Sequence, residues 1–349
     1  MRRVSQLIIR CGADGSGASI RVVAAVVMLA LGMAPSELVL AIDPHPLSLE
    51  AKIPLGQVKG RIDHLAIDAA RQRLYVAELG NDSVGVVDLK DGKTVRTITG
   101  LREPQGIGYV PSSDTLYVAN AGDGSVRLFN GAELTPRGQI ALGDDADNIR
   151  VDDAAHRVYV GYGNGSLAVI DTASQMKLAD IKLKAHPESF QLERGGQRIF
   201  VNVPDTQQIA VVDRSSNRQV ATWSANGMRA NYPLALDESS GQVLVVFRHP
   251  AKVSSFSISD GRFLSASPTC GDSDDVFVDS KRRRVYVTCG EGFIDVLEPR
   301  AEGYATVERF PTLSGARTGL FVPAIDRLFL AVRATSSEPA AIWVYRPAP

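Results

Sequence analysis

Carboxylates with a polar neighbour recur along the chain in one setting: Asp63-His64, Asp147-Asn148, Glu188-Ser189 and Asp274-Asp275 each stand just ahead of a short apolar run, and Arg317 holds the corresponding place near the C-terminus. Carboxylate and amide oxygens brought together from separate segments suit a hard cation such as Ca²⁺, or a cationic or sugar-like ligand. His64, with His186 in "AHPES" and His249 in "RHPAK", adds imidazoles that could bind a transition metal or move a proton. Asp, Asn, Ser and Gly are also ordinary turn formers, and turn chemistry alone accounts for the same residues. No HxH or HExxH spacing occurs, and no CxxCH for covalent haem. The glycine-rich runs "NAGDGS" and "GYGNGS" are poor phosphate cradles, because they join strand to strand and lack a helix N-terminus.

The elements that must position these groups are strands. Tyr75, Tyr117, Tyr159, Phe200, Leu244, Tyr286 and Phe329 lie inside the alternating runs LYVAE, LYVAN, VYVGY, IFVNV, VLVVF, VYVTC and LFLAV, at steps of 42, 42, 41, 44, 42 and 43 residues. A period of this length with only strands inside it marks a β-propeller blade. Each unit reads as four strands rich in β-branched and aromatic residues, punctuated by Gly, Asp and Asn. The seventh unit stops after its third strand at "IWVYRPAP", while "AKIPLG" (51–56) resembles the fourth-strand segment "GQIALG" (138–143). The expected fold is therefore all-β: a seven-bladed propeller of four-stranded antiparallel blades, closed by the N-terminal strand.

In such a ring the first strands line a central channel. The residues ahead of them gather at one face, here called the top. After the second strands come Glu78, Asn120, Tyr162, Asn202 and Arg248, expected to rim it. His64 belongs to the first blade and His186 and His249 to the fourth and fifth, expected across the channel. "SKRRR" (280–284) falls in a bottom-face turn and reads as solvated.

Residues 1–41 read as a signal peptide. Arg2, Arg3, Arg10 and Arg21 precede an apolar run at 22–33, and Val39-Leu40-Ala41 offers short residues for a cut after Ala41. Pro35 and Glu37 interrupt the run short of the roughly 20 residues a membrane span needs. Removing the segment takes four of the 38 basic and two of the 39 acidic residues, leaving 34 against 37 and a net charge of −3. That charge makes no strong case for nucleic acid or membrane as partner. Localisation is expected to be exported, periplasmic or extracellular, and the remaining pair, Cys270 and Cys289, is then a candidate disulfide. The propeller would occupy 42–349.

"LYVAN" (116–120) and "VYVTCG" (285–290) resemble the Tyr-Val-Thr-Asn signature of the YVTN β-propeller repeat family, within the wider WD40/YVTN-like, quinoprotein-dehydrogenase-like group. The resemblance covers residues 47–349. It implies the fold and an exported bacterial or archaeal protein, with nucleic-acid binding reported for some members, and it carries over no catalytic residues. With Trp223 and Trp343 as the only tryptophans, the docking motifs of quinone-binding propellers are missing.

The favoured function is a binding scaffold, a monomer that holds a protein or small-molecule ligand at the top through Asp63, His64, Asp147, Asn148, Glu188, Asp274, Asp275 and Arg317. No cofactor is expected beyond a possible divalent cation. The alternatives are a metal-assisted hydrolase or lactonase-like enzyme using His64, Asp147, Glu188 or Asp274, and a nucleic-acid-binding propeller.

Overall fold

The computed structural model describes residues 45–349; the signal-peptide reading of residues 1–41 lies outside them. Within the described residues 28 strands form seven four-stranded antiparallel sheets, and the only helical elements are three short 3₁₀ turns. The first blade shows the pattern: Leu65–Asp68, Arg73–Glu78, Ser83–Asp88 and Lys93–Thr99 pair in sequence order from the channel outward. The landmark residues sit in the second strand of every blade, and all seven are buried.

Alternation decides where the core forms. Each blade shows one set of apolar side chains to the blade before it and the other set to the blade after, so the core is divided into seven clusters at the seven seams. Tyr75 and Val86 of the first blade meet Ile107 and Leu116 of the second, and Tyr286 and Val296 of the sixth meet Phe321 and Leu328 of the seventh. The outer strands face solvent, and Val95, Met176, Leu178 and Val220 are exposed there.

Closure follows the expected route. Leu47–Pro54 pairs antiparallel with Ala341–Pro347, Leu47 opposite Pro347 and Pro54 opposite Ala341. Leu47 is buried among Tyr286, Phe321 and Tyr345, and Lys52 Nζ lies 4.2 Å above the Trp343 ring. The strand that completes the seventh blade thus enters nearly 300 residues away in sequence, and no edge is left open at the join.

Basic turns on the bottom face act as staples, which corrects the solvated reading of "SKRRR" at Arg282, while Lys281 and Arg283 are exposed. The Arg282 side chain is only 6% exposed and contacts Asp279 at 2.9 Å and, in the next blade, Asp326 at 2.6 Å. Arg71 does the same between Asp68 and Asp114, at 2.7 and 2.8 Å.

Candidate functional site

At the top of several blades the first strand breaks register just where the polar residues lie. The ladder slips between Ala146 and Ile149 in the third blade and between Ser273 and Asp275 in the sixth. Extra residues at such a bulge leave the regular pairing and are re-aimed, and here they are Asp147 with Asn148, and Asp274. The second blade slips at the same place, between Pro104 and Ile107. There Gly106 passes so close to its neighbour that a Cβ would sit 2.0 Å from the Asp147 carbonyl oxygen, so only glycine fits.

The expected carboxylates do converge, with Arg61, Asp63, His64, Asp147, Asn148 and Glu188 among the residues around one small cavity. Its volume is about 20 Å³, space for a single water. The mouth is thus a nearly filled polar plug.

Cations fill the gaps between the acids. Asp274 lies between Arg248 at 2.7 Å and Arg317 at 3.1 Å, and both arginines also reach Asp272. Arg248 stacks over the Tyr232 ring at 4.0 Å. Asp63 Oδ2 is 2.7 Å from Arg61 Nη2, a charge contact off the hydrogen-bond axis, and Asp63 Oδ1 is 3.7 Å from His64. Asp147 sits between His64 at 3.9 Å and His186 at 3.7 Å, and its Oδ1 has no hydrogen-bond partner. The two histidines therefore share one carboxylate, contrary to the expected separation across the channel. His249 is exposed and takes no part in these contacts. Asp275 accepts a hydrogen bond from the Gly319 N–H at 2.8 Å.

Burial and these neighbours set the protonation states. Burial raises Glu188 to about 8, with the nearby Asp147 and Asp274 charges adding to the push. Burial likewise raises Asp63 and Asp275, each to about 6, against the opposing charge of His64. Burial alone would raise Asp147 too, but His186, His64 and Arg61 outweigh it and hold the carboxyl below its usual range. For His186 burial is outweighed by Asp147, the Gly163 carbonyl oxygen and Asp145, and its pKa rises to about 9. The Gly163 oxygen lies 2.7 Å from His186 Nδ1. At neutral pH the mouth holds charged His186 beside charged Asp147, with Glu188 protonated.

Of the expected rim, Glu78 turns inward: it is 1% exposed and hydrogen-bonded by Ser83 Oγ at 2.6 Å. Asn120 and Asn202 are also buried, occupied with backbone groups of their own and neighbouring blades. Sequence reasoning missed Arg61 as a mouth residue. Its only signal was a basic residue two positions before Asp63.

Cys270 and Cys289 form a disulfide with their Cα atoms 5.9 Å apart. Buried Asp295 accepts the Cys270 N–H at 2.8 Å and pairs with Arg309 at 2.6 Å, tying the loop to the outer strands of its blade. No group of three or more His, Cys, Asp or Glu side chains is placed to hold a metal among the described residues.

No protein-family model matches the chain. Two curated relatives, each called uncharacterized protein YncE, from Salmonella typhi and Salmonella typhimurium, are 24% identical over 199 residues, 54% of this chain and 51% of theirs. The aligned region thus spans about half the length of those relatives. Among solved structures, a chain of Kuenenia stuttgartiensis hydrazine synthase superposes with a TM-score of 0.71 at 17% identity, over 88% of this chain and 99% of that one. That likeness shows the propeller fold alone.

Proposed function

We propose that this protein is an exported YVTN-type propeller whose task is binding, through the channel mouth and its surrounding loops, of a partner that carries a cationic group. The reading of export draws on the signal-peptide pattern and agrees with the disulfide. The family reading draws on "LYVAN" and "VYVTCG". The observation that carries the binding reading is Glu188. Asp63, Asp147 and Asp274 each have a cationic neighbour, whereas Glu188 forms no salt bridge among the described residues. An amine or guanidinium arriving from outside displaces the Glu188 proton and completes the set, flanked by Asp63, His64 and Asn148.

A divalent ion such as Ca²⁺ needs several oxygens at once, so it would have to draw Asp63 or Asp274 away from their arginines. An amine on Glu188 needs no such rearrangement. The metal-assisted hydrolase reading keeps one support, a carboxyl at about 8 beside His186, since perturbed groups cluster at reactive sites. For nucleic acid, the guanidinium groups of Arg248 and Arg317 are already engaged by carboxylates.

Calorimetric titration with spermidine and separately with Ca²⁺ tests the proposal. Spermidine affinity should rise as pH passes about 8, where Glu188 ionises, and should fall in Glu188→Gln. Tight Ca²⁺ binding with no spermidine response favours the metal reading, and turnover of a model ester or lactone that is lost in Glu188→Gln replaces binding with catalysis.

A further inference from the structure

Below the plug lies the roomiest cavity among those described. It has a volume of about 770 Å³ and runs from His64, Ser189 and Asp275 at its upper end to the bottom-face turns at Arg194, Glu238 and Lys281. That is within the range of small-molecule sites. Its walls are the first strands of the blades, and between the two ends most side chains are apolar, among them Ile67, Ile107, Leu192, Leu234, Val276 and Leu320.

One position breaks this pattern. The residue paired with the landmark in each blade is Ala66, Gly108, Arg150, Gln191, Ala235, Phe277 or Leu320. Six of the seven are uncharged, and the third blade places a guanidinium there. Arg150 Nη1 donates to the Ile149 carbonyl oxygen at 2.8 Å and to Asn148 Oδ1 at 3.3 Å, and Nη2 donates to Ser189 Oγ at 3.4 Å. The guanidinium stacks 5.4 Å from the Phe190 ring. It makes no salt bridge, unlike the mouth arginines Arg61, Arg248 and Arg317. Burial works against its charge, and the only acids acting on it are Asp275 and Asp147, from beyond ion-pair range. A half-buried cation that faces a cavity with neutral partners alone is costly unless an anion joins it.

We propose that the channel binds an amphipathic organic monocarboxylate, entering from the bottom face, with its carboxylate on Arg150 and its apolar body along the first strands. Arg150 supplies a charge-assisted fork, and Ser189 and Gln191 flank it. The carboxylate matches the one half-buried unpaired guanidinium of the channel, Arg194 at the bottom-face end being exposed. This site lies on the other side of the plug from Glu188 and stands independently of the mouth's role.

Calorimetric titration with decanoate tests it. Decanoate should bind the wild-type protein, and Arg150→Met, which keeps the side-chain volume and loses the charge, should weaken it by about tenfold or more. Arg150→Lys should recover part of the loss, and Glu188→Gln should change nothing. A second comparison needs no variant: methyl decanoate, of similar shape without the charge, should bind the wild-type protein about tenfold more weakly than the acid. Absence of decanoate binding, or equal affinity for acid and ester, overturns the proposal. So does an affinity unchanged in a folded Arg150→Met protein.

Discussion

His186 Nε2 lies 3.7 Å from Asp147 Oδ2, joining the loop into the fourth blade to the bulged first strand of the third. Against the opposing effect of burial, this pairing, the Gly163 carbonyl oxygen and Asp145 together raise the histidine to about 9. A raised histidine contributes stability in full below its unfolded value of about 6.5 and loses it as pH climbs through the folded value. Asp147→Asn should therefore bring the His186 titration, followed by NMR, down by a unit or more. It should also lower the melting temperature at pH 6 more than at pH 9. A His186 titration unchanged in the variant would show that Asp145 and Gly163 alone hold the proton.

Glu188 behaves in the opposite sense to an ordinary ion-paired acid. Its folded value of about 8 stands above the reference of 4.5, so the folded state holds a proton that the unfolded state has released, and stability drops as pH rises between those values. Glu188→Gln, which mimics the protonated form, should match the wild type at pH 4.5 and melt higher at pH 8.5. Parallel melting curves at both pH values would contradict this account of the burial.

The Cys270–Cys289 bond closes a loop with a sequence separation of 19 residues. On the chain-entropy relation a loop of this size is worth about 3 kcal/mol. Reduction, or replacement of both cysteines by alanine, should lower the unfolding free energy in denaturant by that order. Two free thiols in the untreated, non-reduced protein would rule the bond out.

Arg282→Ala should be more damaging than its place in a surface turn suggests. It leaves Asp279, whose side chain is 2% exposed, without its cation, and removes the link to Asp326. Breaking one side of a buried pair costs about 3–5 kcal/mol. Lys281→Ala, one residue away on a side chain 73% exposed, should cost less than about 1 kcal/mol. Equal effects of the two substitutions, measured by chemical denaturation, would argue against the staple.

Removing residues 45–54 should strip the seventh blade of its outer strand and expose the edge of Ala341–Pro347. Aggregation, seen by light scattering, is the expected result. A soluble truncated protein with a single cooperative melt would show that the ring holds without this closure.

The strand pattern and the blade count were legible in the chain because they are local, and the closing strand because "AKIPLG" repeats a fourth-strand segment that the last unit lacks. A two-residue alternation repeated about every 42 positions leaves a half-buried strand as the only element that fits, and an unfinished last unit needs the N-terminal segment to hide its edge. Cys270 and Cys289 were legible as the even pair left in a chain read as exported. The site was legible only in outline. The residues ahead of the first strands do gather, as the repeat requires, but their state depends on partners drawn from other blades.

Tertiary structure alone decided those partners. Asp274 is neutralised by Arg248 from the blade before and Arg317 from the blade after, and Asp147 by histidines from the first and fourth. Arg282 looked solvated for the same reason that Arg150 went unnoticed: a side chain's charge is written in the sequence, but its dielectric surroundings are not. Alternation specifies which face of a strand a residue occupies. Whether that face meets water, an opposite charge or an empty channel is set by how seven blades close around one axis, because the Coulomb and desolvation energies that fix a charge depend on distances between atoms far apart in the chain.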